Sequence, residues 1–420
     1  MVRTFELQPG VVLRCCRSER FKQGCLSVQF LRKMAQKEAS CNALIPALLL
    51  RGTESCPDLR AITRRLDDLY GAAVGVQVRR VGDYQTTGLY CSFIEDAYAL
   101  PGDQVLAPMV DFLGELLFCP ALENGIFRKD FVESEKRNLV LAIEAQRNDK
   151  RVYASSRLLE IMCSSDSFGI PRLGTKESVA EITPESAYDH YRTLLKESPA
   201  EIFYVGSAQP EQAAALLKPL FAKIERNYVN LLPQTRFTDP PAGSHTEEMD
   251  VAQGRLAMAF VTNITLRDDR FAAMQVANML FGGGMTSKLF MQIREKQSLC
   301  YDIGSAFQGS KGIVTVTAGI DFDKETAVKK QVLALLEQCA AGEFTQQELA
   351  SAKNALISQL QGVHDSPGSI EGYYVSGVLS GMDKTPEAYI QAVEEVTAES
   401  AAQAAKTLSL HTEYFLKGVR

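Results

Sequence analysis

The chain has 420 residues, of which 46% are hydrophobic and 23% charged, and this is enough for two or three globular domains with ordinary cores. Its net charge of −6 and its lack of a long basic run argue against nucleic acid as the main partner. No apolar run reaches membrane-spanning length, and the first residues lack the apolar region of a signal peptide. We therefore expect a cytoplasmic protein with no membrane partner.

The cysteines and histidines show no pattern typical of a metal site. The ten cysteines are scattered without a C-x-x-C pair, and most lie among aliphatic residues, so we expect reduced and mostly buried thiols. The four histidines are His190, His245, His364 and His411. They are too far apart for two of them to bind one metal from a single helix face.

The first half of the chain predicts strands and helices in alternation. In order, its patterns predict a strand over 24–33, a helix over 40–53 that Gly52 closes, a helix over 56–72 with Asp58 near its start and Gly71 at its end, a β-hairpin over 73–96, helices over 106–118 and 128–162, a helix with Thr183 as N-cap and Pro184 at its first position, and a strand over 200–207.

The second half repeats this order after a polar, proline-containing stretch. It predicts a strand over 254–263, helices over 268–283 and 286–302, a hairpin over 303–323, and helices over 324–342 and 345–362. Three residues recur at an offset of 230: Gly52 and Gly282, Arg64 and Arg294, Leu69 and Leu299. We therefore predict an α+β protein with two homologous domains, each a mainly antiparallel sheet packed with helices. The predicted boundaries are 1–230, a linker over 231–249, and 250–420.

The segment FGGGMTSKLFMQIREKQSLCYDIGS, residues 281–305, resembles the second-domain signature of the pitrilysin or insulinase-like metallopeptidases, which include the mitochondrial processing peptidases. The match to the pattern GGGM-S-L---IRE----Y is dense and specific, and the duplicated architecture of the whole chain agrees with it. The resemblance implies the family's fold, in which two-domain halves enclose a peptide chamber. It also implies that Arg294 and Tyr301, which match the family's arginine and tyrosine, act on bound peptide.

Arg294 and Tyr301 carry side chains suited to that role. A guanidinium offers planar, charged donors and a phenol offers a neutral donor, so both could hold a peptide carbonyl and the oxyanion that forms when water attacks it. The alternative is a solvated helix charge and a hairpin core residue. Gly282, Gly283 and Gly284 match the motif's glycines and are predicted to bind substrate, although a sharp turn after a helix would also need glycine. No G-K-[ST] follows, which disfavours a phosphate loop.

The zinc site that the resemblance implies for the first domain is missing. The family places H-x-x-E-H on a first-domain helix and a further glutamate ligand on a later helix. Aligned on the neighbouring motifs LLLRGT and ESEKRNLVLAIEAQRNDK, the four positions hold Ala43, Pro46, Ala47 and Ala142. Glu144 lies two residues past the last of them, but a lone carboxylate is not a zinc site. The resemblance therefore implies no cofactor in this chain and zinc only in a partner.

The leading hypothesis is a non-catalytic subunit that forms a heterodimer with a zinc-bearing homologue, so that Arg294 and Tyr301 complete the partner's peptidase site. A second hypothesis is a peptide-binding or scaffold homodimer without proteolysis. A third, an independent hydrolase, has little support because no histidine lies in a known nucleophile motif. The resemblance also implies that peptide adds to a sheet edge, for which GLYCSFIED, residues 88–96, is the candidate strand.

Overall fold

A computed structural model describes residues 2–222, 224–231, 236–382 and 384–419 of the protein. The strands are β1 (Val2–Gln8), β2 (Val11–Arg17), β3 (Gln23–Lys33), β4 (Ala73–Val81), β5 (Tyr84–Ile94), β6 (Leu122–Glu123), β7 (Ile126–Phe127), β8 (Ala200–Gly206), β9 (Gly243–Met249), β10 (Gly254–Val261), β11 (Asp302–Gln308), β12 (Ile313–Ile320) and β13 (Ser409–Gly418). The helices are α1 (Gln36–Leu49), α2 (Leu59–Asp68), α3 (Leu106–Phe118), α4 (Lys129–Asn148), α5 (Lys150–Met162), α6 (Lys176–Ala180), α7 (Pro184–Glu197), α8 (Pro210–Ala222), α9 (Phe271–Phe281), α10 (Glu325–Ala340), α11 (Gln346–Gln361), α12 (Pro367–Ser380), α13 (Pro386–Glu394) and α14 (Ala398–Lys406), with a π-helix over Leu289–Lys296. Within these described ranges, no helix is long and apolar enough to cross a bilayer.

The chain divides into two compact units, each built on its own sheet. Among the described residues, unit 1 comprises those within 1–144, 170–233 and 364–376, and unit 2 comprises those within 145–169, 234–363 and 377–420. The sheet of unit 1 has the order β1-β2-β8-β3-β5-β4, with the pair β2–β8 parallel and the other neighbours antiparallel. The sheet of unit 2 has the order β11-β12-β10-β13-β9, with the pair β13–β9 parallel. The predicted α+β class with mainly antiparallel sheets is confirmed.

The two sheets share one topology. Strands β4, β5, β3, β8 and β2 of unit 1 correspond in order and in relative direction to β11, β12, β10, β13 and β9 of unit 2. In each unit two helices separate the central strand from the hairpin that follows it in the chain. The duplication that the repeated residues indicated is therefore a duplication of the sheet itself.

The segment predicted as a linker, 231–249, contains a strand. Residues 232–235 lie outside the described part of the chain, but Gly243–Met249 forms β9, which pairs in parallel with β13. The prediction of a linker there was wrong because β9 is an edge strand whose exposure alternates residue by residue, and its polar side chains gave the composition of a loop. The structure also places 145–169 in unit 2 and 364–376 in unit 1, whereas the prediction gave each domain one continuous segment.

Helix α1 contains a proline that the surrounding fold accommodates. Pro46 has no N–H to donate to the carbonyl of Asn42 four residues earlier. The hydroxyl of Thr87, on β5, donates to that carbonyl instead. Gly52 lies beyond the helix end, and a Cβ there would sit 2.7 Å from the carbonyl oxygen of Pro57. Close approach of two backbones, and not the predicted helix cap, therefore explains this glycine.

The candidate edge strand GLYCSFIED is not at an edge. Its residues belong to β5, which lies between β3 and β4, and β4 is the edge strand of this hairpin. The prediction failed because both strands of the hairpin read as strands in the sequence, while their order in the sheet is set by long-range pairing. Gly88 marks the central position, since a Cβ there would lie 1.8 Å from the carbonyl oxygen of Val28 on β3.

Most of the cysteines are buried. All ten lie in the described ranges, none forms a disulfide, and eight are buried. Burial raises the pKa of the Cys15, Cys25 and Cys41 thiols to about 12. A thiol with so high a pKa stays protonated at neutral pH and is a poor nucleophile. This agrees with the predicted reduced, mostly buried thiols.

A buried carboxyl group follows β5. Glu95 is 3% exposed, its Oε2 accepts a hydrogen bond of 2.5 Å from the Ser207 hydroxyl, and its Oε1 has no partner among the described residues. Two glycines lie directly against it, since a Cβ on Gly24 or Gly206 would be 2.2 or 2.3 Å from Oε1 and would displace the carboxyl group. Burial raises the pKa of the Glu95 carboxyl.

We expect Glu95→Gln to change the pH dependence of stability. Because the folded-state pKa is raised, the contribution of Glu95 is fully present below the pKa of the unfolded chain and is lost as pH rises through the folded value. The uncharged amide of glutamine has no such loss. The free energy of unfolding of the variant minus that of the wild type should therefore increase from about pH 4 to about pH 7. Urea titration of both proteins at the two pH values measures this difference. Equal differences at the two pH values would contradict this account.

Candidate functional site

The glycine triplet Gly282–Gly284 ends a helix that the core of unit 2 holds firmly. On β10, alternate side chains pack against α5 on one face and α9 on the other, where the rings of Phe260 and Phe281 meet edge to face at 6.3 Å. The chain then turns sharply, and the carbonyl of Asn278 accepts hydrogen bonds from the N–H groups of Gly282 (2.9 Å) and Gly283 (2.8 Å).

Packing explains the first two glycines of the triplet. A Cβ on Gly282 would lie 2.6 Å from Leu289 Cδ1, and a Cβ on Gly283 would lie 2.7 Å from Met279 Sδ. Around Gly284 the nearest atom would be 3.4 Å away, which is ordinary contact. Close approach therefore requires glycine at the first two positions, whereas the third position has room for a Cβ.

The triplet crosses the edge of the second sheet. β11 is an edge strand, and the N–H of Ser305 points away from β12 to donate to the carbonyl of Gly282 at 2.8 Å. The Ser305 hydroxyl donates to Asn278 Oδ1 at 2.7 Å. These bonds fix the turn on the strand, so the backbone of the triplet and that of β11 form one continuous surface.

A groove of about 550 Å³ opens on this surface, entirely within unit 2. Its lining includes the triplet, Met285, Phe290 and β11 residues 303–306, together with residues of α5 and the threonines of β12. Met285 is 77% exposed, so a flexible apolar side chain borders the groove on its open side. Backbone groups beside a lining that mixes apolar and polar side chains suit an extended peptide.

Arg294 lies in the π-helix, one turn beyond a residue of the groove wall. Its Cζ is 4.6 Å from the centroid of the Phe290 ring, and its Nη1 is 3.8 Å from Glu295 Oε1. Its side chain is 41% exposed. In the described part of the chain no acceptor takes a hydrogen bond from its guanidinium, so its donors are available to a ligand.

Tyr301 stands just before β11. Its N–H donates to the carbonyl of Gly319 at 2.8 Å, which holds its backbone on β12, while its side chain leaves the residue 59% exposed. Its hydroxyl donates to Asp321 Oδ1 at 2.8 Å, and this hydrogen bond raises the pKa of the phenol. The donor that the sequence predicted is thus already in use.

The structure brings some of the predicted residues together and not others. The three glycines line one groove with Phe290, and Arg294 stacks on that ring. Within the described ranges, no hydrogen bond joins Arg294 to Tyr301. The turn between them includes Ser298, whose φ of 50° is in the left-handed region.

The positions predicted for a metal site in unit 1 hold no ligand. Ala43 and Pro46 are buried on α1, Ala47 beside them is partly exposed, and Ala142 is exposed on α4. Methyl groups and a proline ring can neither coordinate zinc nor move a proton. Among the residues described, no group of three or more His, Cys, Asp or Glu side chains could hold a metal ion.

The polar side chains that border α1 bond to one another. Asn42 Nδ2 donates to Gln85 Oε1 at 2.8 Å, and Asn42 Oδ1 lies 2.7 Å from His190 Nε2. Burial lowers the pKa of His190, which favours the neutral ring. Because Asn42 Oδ1 can only accept, His190 Nε2 donates to it. Glu144 is held by the ammonium group of Lys176. The residues present therefore do not fit a zinc ion.

Sequence reasoning missed three residues of the site. Asn278 is a polar residue in an otherwise apolar helix, and that contrast was a usable signal for a structural role. Phe290 and Asp321 gave no signal, because their contacts depend on the turn at Ser298 and on the pairing of β11 with β12.

Residues 181–356 match the family profile described as "Peptidase M16 inactive domain". The "Probable inactive metalloprotease YmfF" of Bacillus subtilis is 28% identical over 410 residues, covering 97% of this chain and 96% of that protein. Both matches are therefore to peptidase relatives that are described as inactive.

Two solved structures share the architecture over the whole chain. A conserved protein from Enterococcus faecalis V583 is 30% identical with a TM-score of 0.91, covering 100% of this chain and 99% of that chain. A peptidase M16 inactive domain from Pseudomonas fluorescens is 18% identical with a TM-score of 0.82, covering 100% and 98%, and at this identity the likeness is one of fold.

Proposed function

The chain belongs to the peptidase M16 family as an inactive homologue, and we propose that it is a non-catalytic subunit that pairs with a zinc-bearing homologue of that family. One observation carries the proposal. Unit 2 has an exposed arginine with available donors beside a peptide-sized groove, while the positions that the sequence predicts for zinc in unit 1 hold alanine and proline. A chain that can hold peptide but cannot activate water needs a partner to take part in cleavage.

In the complex we propose, this chain supplies binding groups and the partner supplies the chemistry. The guanidinium of Arg294 would donate to a peptide carbonyl and to the oxyanion that develops when water attacks it. The groove wall at Phe290 would hold the neighbouring side chain by apolar contact. Zinc belongs to the partner, and the absence of disulfides suits a cytoplasmic pair.

The edge strand β4 offers a second place for peptide backbone. The carbonyl of Val78 accepts a hydrogen bond from Arg172, so it faces away from β5. By the alternation of an antiparallel pair, the backbone groups of Val74 and Val76 face the same way. An extended peptide could add to this edge through backbone hydrogen bonds, which would make binding tolerant of sequence.

We expect the purified chain to bind no stoichiometric zinc and to cleave no peptide by itself. The reason is the set of side chains at Ala43, Pro46, Ala47 and Ala142, none of which is a ligand. Metal analysis after dialysis checks this, with a homologue that contains H-x-x-E-H as the positive control. One tightly held zinc ion per chain would contradict the expectation.

Co-purification tests the pairing. The tagged chain, expressed together with a homologue from the same organism that contains H-x-x-E-H, should retain that homologue through size-exclusion chromatography at a one-to-one ratio. A stable homodimer that excludes the homologue would instead favour the scaffold hypothesis and would overturn the proposal.

A further inference from the structure

Tyr301 presents an acceptor, not a donor, to the space around it. A phenol can donate only one hydrogen bond. In Tyr301 that hydrogen bond is to Asp321 Oδ1 at 2.8 Å, because a carboxylate can only accept. The lone pairs of the phenol oxygen remain. No described group donates to them, and the residue is 59% exposed.

The same chain shows what such an oxygen accepts. Tyr70 follows α2 as Tyr301 follows the π-helix, and its hydroxyl also donates to a carboxylate, that of Asp103. The oxygen of Tyr70 is filled: it accepts the backbone N–H of Leu100 at 3.0 Å. Tyr70 therefore shows that a phenol oxygen whose hydroxyl donates to an aspartate can accept a hydrogen bond from a backbone N–H. In unit 2 the oxygen of Tyr301 has no donor from the described residues.

The charge behind Tyr301 decides the polarity of its ligand. A carboxylate that accepts the hydrogen bond of the phenol increases the negative character of the phenol oxygen. That oxygen attracts an N–H and repels a carbonyl oxygen or an oxyanion. Arg294, with its permanent positive charge, has the opposite preference. The two residues therefore suit the two polar groups of a peptide backbone, the N–H and the C=O.

We propose that Tyr301 and Asp321 form an acceptor site for a backbone N–H of bound peptide, with Asp321 as the positioning residue. The inference rests on the proposed function and refines it: it assigns oxyanion contact to Arg294 and removes it from Tyr301. The raised pKa of the Tyr301 phenol, caused by its hydrogen bond to Asp321, agrees with a proton held on that side.

A peptide with single backbone N-methyl groups tests the site. The probe is a short fluorescent peptide selected from a random library for binding to the wild-type full-length chain and for weaker binding to Arg294→Ala, so that it occupies the groove of unit 2 and not the edge of β4. Each N–H of this peptide is replaced in turn by N–CH₃. At one position the replacement should weaken binding to the wild type by about two- to tenfold, the size of one hydrogen bond. In Tyr301→Phe that position should lose its sensitivity.

Tyr70→Phe is the matched control. Its phenol has the same kind of aspartate partner, but its oxygen is already filled by Leu100, so this variant should show the wild-type response to every N-methyl peptide. Asp321→Ala tests the positioning role, because it keeps the phenol and removes the group that takes its proton. In that variant the pKa of Tyr301 should fall, as followed by the ¹³C resonance of its Cζ, and the N-methyl effect should shrink.

The outcomes separate the two claims. An N-methyl effect of equal size in the wild type and Tyr301→Phe at every position, with peptide bound, overturns the acceptor site and leaves the proposed function standing. Unchanged titration of Tyr301 in Asp321→Ala overturns the role of Asp321. If the wild-type chain retains no peptide from the library, the proposed function fails and this inference fails with it.

Discussion

Arg294→Ala should lower the rate at which the zinc-bearing partner cleaves peptide by ~10²–10³ while the complex still assembles, because loss of one donor to a developing oxyanion has an effect of that size. Arg294→Lys should lose most of the same activity, since an ammonium lacks the planar, two-pronged donor set. Folding should survive, because the side chain is 41% exposed and its partners are a neighbouring ring and the exposed carboxylate of Glu295. The measurement is the cleavage rate of the reconstituted complex at saturating peptide.

Arg64→Ala is the matched control for Arg294. Arg64 occupies the corresponding position of unit 1, 230 residues earlier, and is exposed on α2. Its removal should leave the cleavage rate unchanged. The cleavage rate with Tyr301→Phe should lie between the rates with Arg294→Ala and Arg64→Ala. We expect at most about a tenfold loss, which appears mainly as weaker peptide affinity. Wild-type rates in both Arg294 variants would contradict a role for this residue in the partner's site.

Arg79→Met should have the largest effect on stability, a loss of about 3–5 kcal/mol in the free energy of unfolding. Glu371 is fully buried on α12, and its carboxylate accepts two hydrogen bonds from Arg79, of 3.1 and 2.7 Å, and one of 2.7 Å from the Ser27 hydroxyl. Removal of the guanidinium would leave a buried charge with a single hydroxyl partner. Urea titration followed by circular dichroism measures the loss.

The double variant Arg79→Met with Glu371→Met is the control for that prediction. It removes both charges, so no uncompensated carboxylate remains, and most of the lost stability should return. If the double variant is no more stable than the single one, packing of the arginine stem and not the buried charge accounts for the loss. This ion pair also explains why residues 364–376 belong to unit 1 although the chain reaches them late.

Local signals in the sequence predicted the elements that local chemistry determines. Asp58 caps α2 through a hydrogen bond of 2.8 Å from the N–H of Ala61, and Thr183 caps α7 with Pro184 at its first position, as predicted. The chain leaves α2 through Tyr70 and Gly71, both with positive φ, which also agrees with the predicted helix end. The repeated order of elements was enough to predict the duplicated sheet.

Long-range pairing accounts for what the sequence did not reveal. The edge position of β4, the strand β9 and the docking of α12 on unit 1 each depend on partners more than a hundred residues away, or on sheet order that composition does not encode. At the site, the motif indicated Arg294 and Tyr301 but not the direction of the Tyr301 hydrogen bond. That direction follows from Asp321, which the β11–β12 register brings within 2.8 Å.

The most direct test of the central claim is a titration of this chain into its zinc-bearing homologue, with peptide cleavage as the readout. If this chain completes the partner's site, cleavage should be weak without it, should rise with added chain and should saturate at a one-to-one ratio, with Arg294→Ala saturating at the same ratio but a much lower rate. A homologue that cleaves equally well alone and forms no complex with this chain would contradict the account.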